Sequence, residues 1–573
     1  MSYSAPVDEF RFLLQGVLPE TGLGAHWSFE TMDEVLSQAA EFAETVLAPL
    51  NASGDRHGVV FDNGQVRVLP EFHAAYQRFC AQGWPGLRTQ SQYGGMDAPQ
   101  CLAAVIEEIW CGANLAFRLA PMLSRSAIEA MSLHGDALQQ QIILPKLVSG
   151  QWLGTMNLTE PQAGSDVGAV RTKAIAAGDH YRLIGQKCFI TYGEHSLTEN
   201  IVHLILAREA GAPSGTKGLS LFAVPKFLID SAGRLGERND VRCLRVENKM
   251  GIHASPTCVM SYGESPGSAG AMAYRVGQAG QGMEIMFIMM NHARLAVGIE
   301  GQGLAERALT MAMAYAATRV QGRVPANADS PAIESHPDVR RMLWEMRARV
   351  QAARALSVYT AAQWDAGMRS DAAAARTALL IPLVKSLGTE TAQHVTSLSL
   401  QVHGGMGYIE DTGVAQLYRD ARIGAIYEGT NGIQALDFLQ RKVAKDAAVT
   451  LNLLCDQMQQ EITQLGHIDW LVADLPRLTQ AIEQLRQTTR LQLQRLSSQP
   501  AVAHAMAVPF ASQAAITIAA WCLCRQARFS VAMSPEFWIQ KRQAIQTYLC
   551  HILPETLTLA TRIHTGGFGY NDP

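Results

Sequence analysis

The sequence lacks the cysteine framework that stabilises small secreted domains or holds zinc. Its ten cysteines are scattered and none forms a CxxC pair. The close pair Cys522 and Cys524 has no neighbouring histidine at a zinc-ligand spacing. Free thiols are typical of a reducing compartment. We therefore expect neither disulfides nor a metal site.

Long hydrophobic runs and targeting segments are missing as well. The first residues include Asp8 and Glu9 instead of the basic start and apolar run of a signal peptide. The most apolar stretch, residues 501–524, is interrupted by residues that a membrane span disfavours, namely His504, Pro509, Ser512 and Gln513. We interpret this stretch as a buried helix, and we expect a cytoplasmic protein without a membrane span.

An excess of charge of one sign is also absent. The chain has 47 lysines and arginines against 51 aspartates and glutamates, which gives a formal net charge of −4. Such a balance provides no overall attraction for nucleic acid or anionic lipid. Beyond residue 445 the arginines alternate with acids such as Asp469, Asp474 and Glu483, so no basic stripe forms. No nucleic-acid partner is expected.

The chain of 573 residues is long enough for several domains. Apolar residues recur with a helical period between about residues 32 and 152 and again from about residue 283 onward. Between about residues 154 and 274, short apolar runs alternate with Gly, Pro, Asp and Asn, which is typical of strands and turns. We predict an α+β fold with four parts: a helical N-terminal domain (1–153), a small middle β domain (154–276), a C-terminal helical bundle (277–444) and a helical extension (445–573).

The predicted β domain opens with a segment that suits a flat or phosphate-bearing ligand. Residues 158–166 read Leu-Thr-Glu-Pro-Gln-Ala-Gly-Ser-Asp. A strand that ends at this turn leaves backbone N–H groups and the hydroxyls of Thr159 and Ser165 free to face such a ligand. The alternative is a turn in which serine and aspartate cap their own backbone.

A second segment, Phe189-Ile190-Thr191, lies at the end of another predicted strand. Alternate residues of a strand point to the same face, so the Phe189 ring and the Thr191 hydroxyl would lie side by side. This arrangement would place a stacking surface beside a hydrogen-bonding group, although both residue types are common in strands.

A third segment contains a carboxylate in apolar surroundings. Gly404 and Gly405 let a ligand approach the backbone closely, and Glu428 follows Ala425 and Ile426. In a water-poor pocket the pKa of Glu428 would rise, which suits a general base. The alternative is a water-exposed glutamate at the end of a helix.

A further pattern, Gly298, Gly301 and Gly303, hints at a dinucleotide-binding fingerprint. That fingerprint requires a strand before its glycines, whereas the period here is helical. We interpret these glycines as sites of close helix packing.

Together these segments resemble the acyl-CoA dehydrogenase family over roughly residues 93–444. Tyr93-Gly94-Gly95 resembles the early YGG turn of the family. Residues 158–166 resemble its TEPxAGSD signature, and residues 401–431 resemble its C-terminal signature. Residues 3–14 and 249–258 are similar to a longer bacterial branch with a C-terminal helical extension, which includes 3-methylmercaptopropionyl-CoA dehydrogenases.

The resemblance implies a site that holds FAD. By position, Thr159 would bond the pyrimidine edge of the flavin, Thr191 would lie at N5, and Phe189 would stack where many members have tryptophan. Ser165 would approach the FAD phosphates or the pantetheine of the substrate. The other implied FAD contacts are Thr430 and, from a neighbouring subunit, Arg319, Gln401, Gly404 and Gly405.

For the substrate, the resemblance implies that Glu428 is the catalytic base. Glu428 would remove the α-proton of an acyl-CoA while hydride leaves Cβ for flavin N5, which yields a trans-2-enoyl-CoA. The N–H of Glu428 and a ribityl hydroxyl of FAD would polarise the thioester oxygen. The implied acyl-CoA contacts are Ser165, Arg294, Tyr427 and Gly429.

The implied function is that of a FAD-dependent acyl-CoA dehydrogenase of fatty acid β-oxidation, with an electron-transfer flavoprotein as electron acceptor. A homodimer is expected because the flavin contacts cross subunits, and a tetramer is the alternative. Two other functions share the fold, namely an acyl-CoA oxidase, which gives electrons to oxygen, and a DNA-associated member. The extension is expected to cover an apolar face of the helical core.

Overall fold

The computed structural model describes residues 3–24, 27–323, 328 and 330–566. The chain divides into two compact units. The helical unit comprises Met1–Glu44, Pro99–Ala113 and Arg294–Pro573, and the β unit comprises Thr45–Ala98 and Asn114–Ala293. The four-part division of the sequence is finer than these two units and stays a prediction.

Helices account for most of the described chain. In chain order they are α1 (Val7–Thr21), α2 (Phe29–Phe42), α3 (Asn51–His57), α4 (Pro70–Ala81), α5 (Gln100–His134), α6 (Leu144–Val148), α7 (Gly282–Thr318), α8 (Pro337–Gly367), α9 (Asp371–His403), α10 (Val414–Ala421), α11 (Asn431–Leu436), α12 (Val449–Leu465), α13 (Asp469–Val472), α14 (Leu475–Ser498), α15 (Pro500–Ala505), α16 (Ala507–Cys524), α17 (Pro535–Thr547) and α18 (Glu555–Thr565). Helix α5 is interrupted at Asn114, whose φ of −161° and ψ of 91° are not helical.

The strands all belong to the β unit. In chain order they are β1 (Val60–Asp62), β2 (Gln65–Arg67), β3 (Trp152–Asn157), β4 (Lys173–Ala177), β5 (His180–Thr191), β6 (Asn200–Glu209), β7 (Leu219–Pro225), β8 (Phe227–Ile229), β9 (Leu235–Arg238), β10 (Val241–Val246), β11 (Thr257–Tyr262) and β12 (Ala271–Val276). The α+β fold with a middle β domain is therefore confirmed.

One sheet forms the centre of the β unit. Its order is β10-β11-β5-β12-β7-β6-β3, and β4 pairs with both β5 and β6. Strand β6 runs parallel to β3 and β4, whereas the other pairs are antiparallel. All seven residues of β7 are buried, which explains why this strand is apolar except for Ser220 and shows no alternation of apolar and polar residues.

The hairpin β1–β2 was not predicted. Asp62 pairs with Gln65 across a two-residue turn, in which both Asn63 and Gly64 have a positive φ. Asn-Gly is the usual composition of such a turn. Each strand has only three residues, which is too short for a period of two to stand out from the helical segments around it.

The interpretation of residues 501–524 as a buried helix is confirmed by α16. Among the described residues, Ala507–Arg528 is the one helical segment that is long and apolar enough to cross a membrane, and 83% of its most apolar stretch is buried inside the protein. The ring of Trp521 meets Tyr359 of α8 edge to face, with 5.0 Å between the ring centroids.

The extension packs on the helical core, as expected. Helix α16 contacts α8 and α9, and α17 contacts α8. Buried ion pairs add to the apolar contacts, since Arg525 lies 2.5 Å from Glu20 and Lys541 lies 2.5 Å from Glu9. The extension is thus joined by charge to the N-terminal helix α1.

Glycines allow α7 and α9 to cross closely. A Cβ on Gly388 would lie 2.1 Å from the carbonyl oxygen of Gly298, and a Cβ on Gly301 would lie 2.4 Å from that of Gly388. Gly303 faces α5 in the same way, since a Cβ on Gly303 would lie 2.6 Å from the carbonyl oxygen of Glu108. The interpretation of the three glycines as packing sites is confirmed, because all three lie inside α7.

We expect Gly388→Ala to lower the melting temperature, because the added methyl group pushes α9 away from α7. Overpacking of this kind typically costs about 1–3 kcal/mol. Scanning calorimetry of the purified protein measures the effect. Gly236→Ala in β9 is the control, since the nearest atom to its Cβ lies at 3.6 Å. Equal melting temperatures for the two variants would contradict the close crossing.

Candidate active site

The β unit exposes an aromatic ring at the end of β5. The register between β5 and β11 shifts next to Cys258, so that β5 carries a bulge. Phe189 lies in this bulge with a φ of 59°, and 64% of the residue is exposed. A bulky residue in the left-handed region is strained, and such strain concentrates at ligand sites.

The loop after β3 lies against this bulge. The N–H of Cys188 donates to the carbonyl oxygen of Thr159 over 2.9 Å, and the Thr155 hydroxyl donates to the carbonyl oxygen of Thr191 over 2.8 Å. Thr159 and Thr191 are half-buried, whereas Ser165 is exposed. The structure therefore brings Thr159 and Thr191 to the strand end that carries Phe189, and it places Ser165 further along the exposed loop.

A buried ion pair holds that loop from beneath. Lys187 Nζ, which is 0% exposed, lies 2.8 Å from Glu160 Oε1 and donates to the carbonyl oxygen of Leu158 over 3.0 Å. Burial alone would raise the pKa of Glu160, but the charge and hydrogen bonds of Lys187, Thr172 and the Arg171 N–H lower it to about 2. Glu160 is therefore ionised and fixes the loop around Thr159.

In the helical unit, Glu428 occupies a strained loop before α11. Its φ is 54°, and that of Gly429 is 80°. The Thr430 hydroxyl accepts from the N–H of Ile433 over 3.2 Å and so caps α11. The side-chain amide of Gln434 donates to the carbonyl oxygen of Glu428 over 3.1 Å. Within the described residues, the backbone N–H of Glu428 donates to no protein acceptor.

Burial and two cations set the electrostatics of Glu428. Removal of water raises the pKa of its carboxyl group, while the charges of Arg294 and Lys385 oppose this rise. Lys385 is 0% exposed and donates to Asn431 Oδ1 over 2.9 Å. Burial lowers the pKa of Lys385 to about 8, and the charge of Glu428 opposes that shift. The arrangement suits a base that is desolvated but still ionises.

Two other predicted substrate contacts are engaged with acids. Arg294 is 3% exposed and donates to Asp437 Oδ2 over 3.0 Å. The Tyr427 hydroxyl donates to the carboxylate of Glu300, which is also buried. Their direct contact with acyl-CoA stays a prediction, as does that of Gly429, and the structure shows that both side chains support the loop around Glu428.

The residues expected to reach a neighbouring subunit lie on the surface of the helical unit. Arg319 follows the end of α7, and Gln401, Gly404 and Gly405 lie at the end of α9; all four are exposed. A Cβ built on Gly404 or Gly405 would meet nothing within 4 Å. Their backbone is therefore open to a ligand or to another chain. In the part of the chain that is described, no cluster of three or more metal-ligating side chains occurs.

Comparison with known families assigns the chain. The acyl-CoA dehydrogenase N-terminal domain matches residues 30–151, the middle domain 155–264 and the C-terminal domain 280–443. An "Acetyl-CoA dehydrogenase C-terminal like" domain matches residues 454–569. A 3-methylmercaptopropionyl-CoA dehydrogenase of Ruegeria pomeroyi is 42% identical over 531 residues, which are 89% of this chain and 88% of the relative. The chain belongs to the acyl-CoA dehydrogenase family.

Other similar proteins and solved structures support the same family and fold for this dehydrogenase. A broad-specificity linear acyl-CoA dehydrogenase of Mycobacterium tuberculosis is 38% identical over 75% of this chain and 73% of the relative. A Bacillus anthracis acyl-CoA dehydrogenase complexed with FAD aligns with a TM-score of 0.78 at 21% identity, over 97% of this chain and 92% of the other. Caenorhabditis elegans ACDH-11 in complex with C11-CoA gives a TM-score of 0.78 at 20% identity, over 96% and 91%. The predicted fold, extension included, is confirmed.

Sequence reasoning missed the charged residues that support the two loops of this dehydrogenase. They are Glu160, Lys187, Glu300, Lys385 and Asp437. Glu160 lies inside the 158–166 motif and offered a signal, since an acid within an otherwise neutral turn calls for a partner. The other four stand alone in the sequence, and only the packing of helices and strands brings them to their loops.

We expect Glu160→Gln to lower the stability of the dehydrogenase and to flatten its dependence on acid pH. The folded pKa of Glu160, about 2, lies below the ordinary value of 4.5. Its ionised form therefore stabilises the fold above pH 4.5, and this contribution is lost as the pH falls from 4.5 through 2. In the variant, residue 160 cannot be protonated, so this acid-induced loss of stability does not occur. The variant is less stable at neutral pH because Lys187 is buried without its counter-ion.

Melting temperatures at about pH 5.5 and about pH 3.5 measure this difference. The melting temperature of the wild-type protein should fall more between about pH 5.5 and about pH 3.5 than that of the Glu160→Gln variant. Glu237→Gln, an exposed position on β9, serves as the control and should match the wild type. An equally steep acid loss in Glu160→Gln would show that this carboxylate does not stabilise the loop.

Proposed function

We propose that this acyl-CoA dehydrogenase oxidises the Cα–Cβ bond of a saturated acyl-CoA, with Glu428 as the base that removes the α-proton. The observation that carries the proposal is the position of Glu428, which lies in a strained, half-buried loop within the field of two cationic side chains. FAD is the cofactor of the family and of this enzyme.

The β unit fits a flavin. The exposed Phe189 ring offers a stacking face, and the Thr159 and Thr191 segments beside it supply hydroxyl and backbone groups for a polar heterocycle edge. The Glu160–Lys187 pair fixes this loop before a ligand arrives, which reduces the entropy lost on binding. When bound, FAD supplies the acceptor for the hydrogen that leaves Cβ.

Glu428 removes the α-proton as its carboxylate becomes a neutral acid. Proton uptake is favourable because burial has raised the pKa of this group. The unpaired N–H of Glu428 is available to the thioester oxygen, where negative charge develops in the transition state. Glu428 and Gly429 both have a positive φ, and in this proposal the turn presents the N–H and the carboxylate of Glu428 to the same substrate.

The neighbours of Glu428 hold it in place. Thr430 and Gln434 tie the loop to α11, and Tyr427 ties it to Glu300 of α7. We assign Arg294 chiefly to the field at Glu428, because its guanidinium is already bound to Asp437. Contacts of Tyr427, Gly429 and Ser165 with acyl-CoA, and of Thr430 with FAD, are part of the same proposal.

A second copy of the chain completes the FAD site in this proposal. The exposure of Arg319, Gln401, Gly404 and Gly405 supports contacts across a homodimer. We further propose a cytoplasmic enzyme whose electrons pass to an electron-transfer flavoprotein; transfer to oxygen, as in an oxidase, would instead produce hydrogen peroxide under air.

The extension does not favour a DNA-associated function. Several of its arginines are engaged by carboxylates, namely Arg477 by Asp474, Arg486 by Asp456 and Arg525 by Glu20 and Glu461. A duplex-binding surface needs arginines that are free to meet phosphates. These ion pairs support the proposal that the extension has a structural role in the enzyme.

We expect Glu428→Gln to retain FAD but to lose the reduction of bound FAD by acyl-CoA. Loss of a general base typically costs about 10²–10⁴-fold in rate. Anaerobic stopped-flow absorbance at the flavin band measures the rate. Glu483→Gln, on the exposed face of the extension, should behave as wild type. A Gln variant that reduces its flavin at the wild-type rate would exclude Glu428 as the base.

We expect Lys385→Met to shift the acid limb of the reduction rate to higher pH. The lysine charge lowers the pKa of Glu428, so its removal leaves the base protonated up to a higher pH. The pH–rate profiles of the wild type and the variant should converge above about pH 8, where Lys385 of the wild type loses its own proton. Parallel profiles at every pH would show that this lysine does not act on the base.

A further inference from the structure

The loop that carries Ser165 is closed at its base by one carboxylate. Besides its ion pair with Lys187, Glu160 accepts the N–H of Arg171 at Oε2 over 2.8 Å. Its Oε1 accepts the N–H of Thr172 over 3.0 Å and the hydroxyl of the same residue over 2.6 Å. Residues 160 and 172 are thereby held together, and Ser165 lies on the exposed loop between them.

The outer part of this loop is open to a ligand. The backbone N–H groups of Gly164, Ser165 and Asp166 donate to no backbone acceptor within the described residues. All three residues are exposed, and a Cβ built on Gly164 would meet nothing within 4 Å. Successive N–H groups of this kind suit the oxygens of a phosphate. They bind it well only if the loop keeps one conformation, since a loop that must be ordered on binding loses affinity.

One arginine restrains the outer part of the loop. Arg208, near the end of β6, donates through Nη2 to the carbonyl oxygens of Gly168 over 3.0 Å and of Gly215 over 3.1 Å. Its Nη1 donates to the carbonyl oxygen of Pro213. One guanidinium thus joins the Ser165 loop to the loop between β6 and β7. The planar group with five N–H donors suits such a bridge, whereas the single nitrogen of lysine does not.

The bridge is continuous with the base of the loop. The backbone N–H of Arg208 donates over 2.9 Å to the carbonyl oxygen of Thr172, whose hydroxyl binds Glu160. At the other end of the bridge the two loops are in contact, because a Cβ on Gly168 would lie 3.4 Å from the Cα of Gly215. The three acceptors of the guanidinium are backbone carbonyl oxygens. The side chain of Arg208 therefore fixes backbone on both loops.

We propose that Arg208 is a positioning residue, which holds the Ser165 loop in the conformation that binds the phosphates of a ligand. This inference rests on the proposed function, in which FAD and acyl-CoA are the phosphate-bearing ligands. The two share the relevant chemistry, since each carries a pyrophosphate. Arg208 acts through the loop and not by contact with the ligand, because its bonds to the two loops already occupy both terminal nitrogens of the guanidinium.

The test compares each phosphate-bearing ligand with a counterpart that lacks phosphate. The full-length protein is freed of flavin and titrated with FAD or riboflavin, and flavin fluorescence reports binding. The FAD-loaded enzyme is then assayed with the acyl-CoA that reduces the wild type most rapidly and with the corresponding acyl-pantetheine. In Arg208→Met we expect the dissociation constant of FAD, or the KM of acyl-CoA, to rise about tenfold more than that of its counterpart. General damage to the fold would raise both values of a pair alike.

Two further variants complete the test. Arg208→Lys keeps the charge without the fork, so it should show the same selective loss, and it replaces Arg208→Met if that variant fails to fold. Arg234→Met is the matched control, because Arg234 also ties a turn of the β unit, through Asp230 Oδ2 at 2.7 Å, but that turn joins β8 to β9. Its ratios should equal those of the wild type.

The outcomes separate the ligand and the two proposals. A selective loss for FAD assigns the loop to the flavin phosphates, and a selective loss for acyl-CoA assigns it to those of the substrate. Wild-type ratios in both Arg208 variants would overturn the positioning role. A wild-type enzyme that binds FAD but is reduced by no acyl-CoA would contradict the proposed function, and the FAD titration alone would then decide on Arg208.

Discussion

For a carboxylate to remove the weakly acidic α-proton of a thioester, water must not already stabilise its charge, and we propose that the loop around Glu428 in the helical unit meets this condition. Helices α7 and α9 cross at Gly298 and Gly388 with no room for a side chain. One turn from the crossing, α7 carries Arg294 and α9 carries Lys385, whose charges oppose the effect of burial on Glu428. The close crossing of α7 and α9 therefore also brings both cations near the carboxylate that we propose as the base.

The β unit also contains a strained residue that neighbouring polar groups hold in place. Phe189 and Glu428, in different units, are both non-glycine residues at positive φ, and each is held by polar groups outside the strained residue. For the β unit this support is the Glu160–Lys187 pair with the Cys188–Thr159 hydrogen bond, and for the helical unit it is the cap by Thr430 and the amide of Gln434. Strain of this kind persists only where the surroundings fix it.

Local sequence patterns revealed the loops but not their supports. Thr159, Phe189, Thr191 and Glu428 stand in short motifs whose order and residue types carry the family resemblance, and the helical and strand periods predicted the α+β fold. Lys385 and Asp437 belong to no motif, because their partners are distant in the chain and meet them only through helix packing. The bulge at Phe189 was also hidden, since a single extra residue leaves the strand period almost unchanged.

The most direct test of this account is anaerobic titration of the FAD-bound enzyme with a panel of saturated acyl-CoAs that includes 3-methylmercaptopropionyl-CoA. Loss of the oxidised flavin band, with one enoyl-CoA formed for each flavin reduced, is the predicted result, and the most rapid member of the panel identifies the preferred acyl group. A protein that retains FAD but is reduced by no thioester of the panel would contradict the assignment of Glu428 as the base of an acyl-CoA dehydrogenase.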